Sequence, residues 1–169
     1  WVKLDKEERV IDLNKPQLLK GFNEVTKGNG YYKARLSTAA SPKELMAGNY
    51  MLRSISKAKN TDHVIYTMES FEQYPDLHYA TLDFKKSIRL THGIDQQKDY
   101  LWGTAELVSW ISLDGCKLEG VVYKPADFDP AKKYPMIVSF YERNSETLFN
   151  YRMPEPHRST IDYHLYNSN

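Results

Sequence analysis

The sequence predicts a mainly β fold. Short runs rich in β-branched and aromatic residues recur about every ten residues and are separated by polar turns. Tyrosine, which favours strands, occurs 13 times among the 169 residues. Segments with the apolar period of an amphipathic helix are scarce. These three observations favour antiparallel sheets, arranged as a sandwich, a barrel or a propeller.

The first hundred residues contain most of the strand-like runs. The Gly28-Asn29-Gly30 stretch predicts a tight hairpin turn, and a strand is expected over residues 31–37. The Ser41-Pro42-Lys43-Glu44 stretch has the cap, the first-turn proline and the glutamate of a helix start. Because Gly48 follows closely, that helix is expected to be about one turn long. Further strands are predicted over residues 63–68, 77–84 and 87–91.

The pattern changes after Gly103. Clean alternation over residues 105–112 predicts a strand, Leu113-Asp114-Gly115 predicts a hairpin turn, and residues 118–124 form the returning strand. Residues 134–141 are a continuous apolar run, which is typical of a strand covered on both faces. The remaining residues are polar and predict a long loop region. The chain begins without Met in a strand-like run, so we expect it to be a fragment of a longer protein.

Composition excludes several classes of protein. The 23 basic and 22 acidic residues give a net charge of +1, without the basic excess that phosphate binding in nucleic acids requires. A mean hydropathy of −0.64 and the lack of a long apolar run argue against a transmembrane helix. The single cysteine, Cys116, excludes an intrachain disulfide framework. The five histidines lack metal-ligand spacing, and His157 and His164 are expected at the surface; no metal or cofactor is predicted.

Four stretches in the second half carry a family resemblance. Glu106-Leu107-Val108-Ser109-Trp110 leads into the predicted hairpin turn, and residues 118–125, 128–138 and 141–146 follow in order. Together they resemble the prolyl oligopeptidase family of serine peptidases, in particular its dipeptidyl-peptidase-IV-like branch. Residues 1–100 are similar to the last part of the propeller of that family, through Glu69-Ser70-Phe71 and Tyr74-Pro75-Asp76-Leu77.

The resemblance implies a division of the chain into two partial domains. Residues 1–103 would be the C-terminal blades of a β-propeller, and residues 104–169 the first strands of a truncated α/β-hydrolase (peptidase) domain. The implied activity is serine-type hydrolysis of short peptides, of post-proline or dipeptidyl type, by a Ser-Asp-His triad. The chain has no G-x-S-x-G motif, so the triad is expected beyond Asn169 and this chain alone is expected to be inactive.

The resemblance also implies partners and a location. The partners are a peptide substrate and the rest of the same polypeptide, with a possible homo-oligomer of the full-length protein and no nucleic acid. The full-length protein is expected in the periplasm or outside the cell rather than in the cytoplasm. The alternative function, outside the enzymes, is that of a non-catalytic β-rich module that binds a peptide or a glycan.

Three adjacent residues are the candidate site. By the resemblance, the hydroxyl of Tyr141 stabilises the oxyanion of the tetrahedral intermediate. From the residue pattern alone, Tyr141 is instead a buried structural tyrosine at a strand end. Glu142 and Arg143 are candidates for substrate contact. The alternative interpretation is that they are solvated or ion-paired residues at the rim of the site. Ser145 lies nearby but lacks glycine flanks and a partner base, which argues against a nucleophile.

Overall fold

The computed structural model describes residues 1–5, 7–156, 158 and 161–168. Within these ranges nine strands form three antiparallel sheets of three, four and two strands. The mainly β prediction is therefore confirmed. The described residues show small separate sheets, with neither a propeller nor an α/β-hydrolase sheet. No helix in this part of the chain is long and apolar enough to cross a membrane.

The first sheet contains β1 (Pro16–Phe22), β2 (Asn29–Arg35) and β3 (Lys43–Gly48) in sequential order. The turn between β1 and β2 lies earlier than predicted, because Asn23 builds it. The Asn23 Oδ1 accepts from the N–H groups of residues 25 and 26, and the Asn23 N–H donates to the Gly28 carbonyl over 2.9 Å. Gly30 lies inside β2, where an added Cβ would come within 2.8 Å of a carbonyl of β3.

The predicted helix start at residues 41–44 is wrong, because these residues lead into strand β3. A single helical turn fixes many dihedral angles for few hydrogen bonds. Pairing with β2 instead gives β3 a ladder that runs from Asn29↔Gly48 to Lys33↔Lys43. Leu45 on β3 also packs against the core. Tertiary pairing therefore overrides the local capping pattern.

The second sheet contains β4 (Met51–Lys57), β5 (His63–Glu69), β6 (Asp76–Thr81) and β7 (Ser87–Arg89) in sequential order. The predicted strand at 63–68 is confirmed, and the one predicted at 87–91 is shorter and ends at Arg89. The one predicted at 77–84 ends at Thr81, because the chain turns there and Phe84 takes a left-handed φ of 55°.

The main hydrophobic core lies between the first and second sheets. The rings of Tyr31 and Phe84 stack with centroids 4.9 Å apart, and Tyr66 meets both edge-on. Burial raises the pKa of the Tyr31 hydroxyl well above its usual value. Apolar residues of strands from both sheets complete this core: Leu18, Leu52, Val64 and Ala80.

The third sheet is the predicted hairpin of β8 (Thr104–Ile111) and β9 (Lys117–Lys124). Gly115 takes a φ of 85° in the turn, and the Ser112 N–H donates to the Cys116 carbonyl. The predicted strand at 134–141 is wrong: this segment has no regular structure and is exposed throughout. In the described chain β8 and β9 pair only with each other, and neither strand pairs with residues 134–141.

The C-terminal region is a long loop, as predicted, and it also contains short helical turns that were not predicted. A 3₁₀ turn spans Asn144–Thr147, and helix α1 (Tyr163–Asn167) begins after Asp162, whose Oδ1 accepts from two N–H groups of the first turn. His164 is 6% exposed, so its predicted surface position is wrong. Aromatic rings bury it against the rest of the molecule. His157 lies outside the described residues.

Candidate functional site

Tyr141 lies in an exposed turn and is not the buried tyrosine that its residue pattern indicated. Its side chain is 74% exposed. The hydroxyl has no hydrogen-bond partner among the residues that the structure describes. A phenol O–H can donate a hydrogen bond. The geometry therefore leaves Tyr141 available to an external acceptor.

Glu142 and Arg143 complete the same turn. Glu142 takes a φ of 32°, in the left-handed region that non-glycine residues rarely adopt. Arg143 makes ion pairs with Glu24 at 3.1 Å and Glu146 at 2.6 Å. These exposed pairs fit the interpretation of Arg143 as an ion-paired rim, and they tie the turn to the loop between β1 and β2.

The turn follows an exposed apolar segment, residues 136–140. No backbone hydrogen bond joins residues 135–142 to any other described residue. Unpaired N–H and C=O groups beside apolar side chains are the features through which strands add to one another. The four large apolar side chains of this segment are between 58% and 89% exposed: Met136, Ile137, Val138 and Phe140.

The described residues hold no nucleophile paired with a base. No hydrogen bond among them joins a serine, threonine or cysteine side chain to a histidine ring. The ring of His164 instead donates from Nε2 to the Arg152 carbonyl at 2.8 Å. Ser145 lies in the 3₁₀ turn and has no side-chain partner there. Among these residues no group of three histidine, cysteine, aspartate or glutamate side chains could hold a metal ion.

A cluster of rings, the aromatic cluster, holds the C-terminal region against the second and third sheets. Trp102 stacks on Tyr151 with centroids 5.2 Å apart, and His164 stacks on Phe71 at 5.3 Å. Burial raises the pKa of Tyr151 to about 12. The remaining members are Tyr74, Tyr123 and Tyr163. The rings of the aromatic cluster pack against one another and fill the space between them. They hold in place the part of the chain that follows the Tyr141 turn.

A groove of about 940 Å³ lies between the first and second sheets. Its lining comes from the N-terminal segment, from strands of both sheets and from the β4–β5 and β6–β7 turns. No sequence motif marks this groove, because its lining residues are spread over residues 2–86. Apolar side chains form its floor: Val2, Leu4, Leu18, Leu45 and Leu82.

Comparison with known proteins gives structural neighbours only. No protein-family model matches the sequence, and no curated protein matches it. A serine-to-alanine variant of AtxE2 isopeptidase with Astexin3-dC4 bound is similar at 16% identity and a TM-score of 0.53, over 76% of this chain and 19% of that chain. The apo form of AtxE2 isopeptidase is similar at 14% identity and a TM-score of 0.49, over 71% and 18%.

These comparisons correct the family assignment. The resemblance to the dipeptidyl-peptidase-IV-like branch of the prolyl oligopeptidase family is wrong: no family model matches, and the structural neighbours are isopeptidase structures. Two of the four stretches that carried it form the β8–β9 hairpin, a local pattern that antiparallel sheets of many families share. The chain has the fold of part of AtxE2 isopeptidase and spans about a fifth of its length.

Proposed function

We propose that this chain is part of a serine-type peptide hydrolase. The observation that carries the proposal is the fold shared with AtxE2 isopeptidase over 76% of this chain. That neighbour holds a peptide, Astexin3-dC4, which favours a peptide as the substrate here. A net charge of +1 agrees with this substrate class and disfavours a polyanion.

The proposal assigns the nucleophile and base to polypeptide outside these 169 residues. The described residues hold no hydroxyl or thiol paired with a histidine, and the chain spans only 19% of the neighbour. A serine nucleophile needs an adjacent general base, which in a Ser-Asp-His triad is the histidine. This chain would then supply a surface that contacts the peptide, and the division at residues 103 and 104 would separate its two parts.

Within this function, Tyr141 is assigned to the oxyanion of the tetrahedral intermediate. Its hydroxyl is exposed and unpaired among the described residues, so donation to a substrate breaks no internal hydrogen bond. Arg143 restrains the turn through Glu24 and Glu146, which limits the entropy lost when the phenol is positioned. Glu142 and Arg143 would lie beside the bound peptide.

The first test is cleavage of peptides by the longest natural polypeptide that carries this sequence. We expect hydrolysis of a fluorogenic peptide library and covalent labelling by a fluorophosphonate probe. Both signals should disappear when the labelled serine is changed to alanine. Peptide binding without cleavage or labelling would contradict the proposal and support the non-catalytic binding module instead.

The second test is Tyr141→Phe in the same polypeptide. Removal of one oxyanion donor is expected to lower kcat by about 10²–10³ with little change in KM. Tyr100→Phe is the matched control, because Tyr100 is similarly exposed at 64% and lies away from the turn in the sequence. An unchanged kcat for Tyr141→Phe removes this residue from the mechanism.

A further inference from the structure

The groove between the first and second sheets has an aliphatic floor that belongs to the core. Leu18 is buried, and Val2, Leu4, Leu45 and Leu82 are partly buried against the same core. The N-terminal segment is fixed there by a hydrogen bond of 2.8 Å from the Val2 N–H to the Leu18 carbonyl. A volume of about 940 Å³ is near the upper end for ligand sites, which suits a short peptide better than a single amino acid.

Charges on the rim of the groove divide into paired and unpaired groups. The turn residues Asp62 and Asp83 are neutralised by Lys57 at 3.4 Å and Lys85 at 3.9 Å. The unpaired groups are of opposite sign on different elements. In the part of the chain that the structure describes, carboxylates without a cation lie on the N-terminal segment, and lysines without an anion lie on β2 and before β7: Asp5, Glu7, Glu8, Lys33 and Lys86.

We propose that this groove binds a short peptide with free ends, a step that rests on the proposed function. Aliphatic side chains of the peptide lie on the leucine-lined floor. The peptide amino group meets the carboxylates of Glu7 and Glu8, and its carboxylate meets Lys33 and Lys86. A free-ended peptide carries one charge of each sign and so matches both sets of unpaired groups.

The groove lies apart from the Tyr141 turn in sequence and shares no residue with it. Bound peptide there would be a substrate waiting for cleavage or a product retained after it. The groove therefore extends the proposed function from general peptide hydrolysis to recognition of peptide ends.

The test measures binding of Leu-Ala-Leu-Ala to the polypeptide that carries this sequence, by isothermal titration calorimetry. The free peptide is expected to bind about tenfold more tightly than its acetylated and amidated form, since two exposed charge contacts are lost. Added salt should reduce this difference. Equal affinity for the two forms, or no affinity for either, overturns the proposal.

Variants locate the site. The double change Glu7→Gln with Glu8→Gln, and the single change Lys86→Gln, should each weaken binding of the free peptide by about three- to fivefold and leave the blocked peptide unchanged. Glu155→Gln and Lys132→Gln are matched controls, because these charges do not line the groove. Circular dichroism checks that each variant keeps its sheets. Unchanged affinity in the folded groove variants overturns the proposal.

The two proposals fail in different ways. If the groove variants still cleave peptides and still distinguish free from blocked peptide ends as the wild type does, only the groove proposal is contradicted. Peptide binding that depends on Glu7, Glu8 and Lys86 without any cleavage would remove the hydrolase proposal and leave the groove as a peptide-binding site.

Discussion

Asp76 is the most completely buried acidic residue among those described, with no exposed surface. Its carboxylate pairs with Arg89 and accepts hydrogen bonds of 2.8 Å from the Thr91 hydroxyl and the Gly93 N–H. Burial alone would raise the pKa of Asp76, but the Gly93 and Thr91 hydrogen bonds and the Arg89 charge hold it below its usual value. These contacts fix β7 and the turn after it to β6.

We expect Asp76→Asn to lower the free energy of unfolding by about 3 kcal/mol at neutral pH, because Arg89 loses its charged partner. Since the folded pKa is lowered, this stabilisation is present above the unfolded pKa of about 3.9 and is lost as the pH falls through the folded value. Urea unfolding of both proteins from neutral pH to about pH 3 should show their difference shrinking.

The control for Asp76 is Asp127→Asn, which removes an exposed carboxylate. This change should alter the free energy of unfolding by less than about 0.5 kcal/mol at any of these pH values. A constant difference between wild type and Asp76→Asn across the pH range would contradict the role given to the ionised Asp76.

At the scale of elements, Trp102 joins three parts of the chain. It stacks on Tyr151, contacts His164 with centroids 4.1 Å apart, and donates from Nε1 to the Phe71 carbonyl at 2.6 Å. Glu69 adds a polar contact, accepting from the Tyr151 N–H at 3.3 Å. The C-terminal region has little regular structure of its own, so these contacts hold it in place.

Trp102→Ala is expected to destabilise this attachment by about 3 kcal/mol, through lost ring contacts and the cavity left behind. Hydrogen exchange should speed up in residues 148–156, while β5 and β6 keep their protection. Trp110→Ala is the matched control, because Trp110 is 48% exposed near the tip of the third sheet. Unaltered hydrogen exchange in residues 148–156 would contradict this role of Trp102, because other contacts would then be enough to hold the C-terminal region in place.

The sequence predicted the elements whose signals are local. The β8–β9 hairpin has both alternation and a turn glycine, and β5 has a dense run of β-branched and aromatic residues. Strands β1 and β4 were missed, because their few apolar residues, such as Leu18 and Leu52, count as core only once the sheets pack. Their burial is a tertiary property that no window of sequence contains.

The strand prediction for residues 134–141 was wrong for the opposite reason: the local signal was strong, but no tertiary pairing supports it. The composition of this run is that of a buried strand, but a strand needs a paired neighbour, and no strand of the described chain pairs with this run. The candidate residues Tyr141, Glu142 and Arg143 are adjacent in sequence, so they lie close together whatever fold the chain adopts. The groove could not be predicted, since its lining meets only after two sheets pack together.

At the scale of the whole molecule, polar contacts join the third sheet and the C-terminal region to the first two sheets. Lys27, 4% exposed and in a left-handed conformation, pairs with Glu119 on β9 at 2.6 Å. Lys27 lowers the pKa of Glu119. The hydrogen bond between the two side chains is the largest cause, and the positive charge of Lys27 adds to it. Arg53 reaches Asn150 at 3.1 Å. These contacts cross the predicted boundary after residue 103, so the two predicted parts share a polar and aromatic interface.

The apolar segment at residues 136–140 governs how whole molecules associate. Exposed apolar side chains beside an unpaired backbone favour pairing between copies. We expect the 169-residue chain to self-associate as its concentration rises and Val138→Lys to suppress this, because a charge there disfavours burial. Sedimentation velocity over a range of concentrations measures the shift.

Val10→Lys is the matched control for Val138→Lys. Val10 is 77% exposed and Val138 is 69% exposed, so both changes place the same new charge on a similarly open site. If pairing through residues 136–140 drives association, Val10→Lys leaves it nearly unchanged. Equal suppression by both variants would show that net charge alone controls it. A wild-type chain that stays monomeric with a sharp, reversible thermal transition would contradict the segment's role, because its apolar side chains would then be tolerated in water.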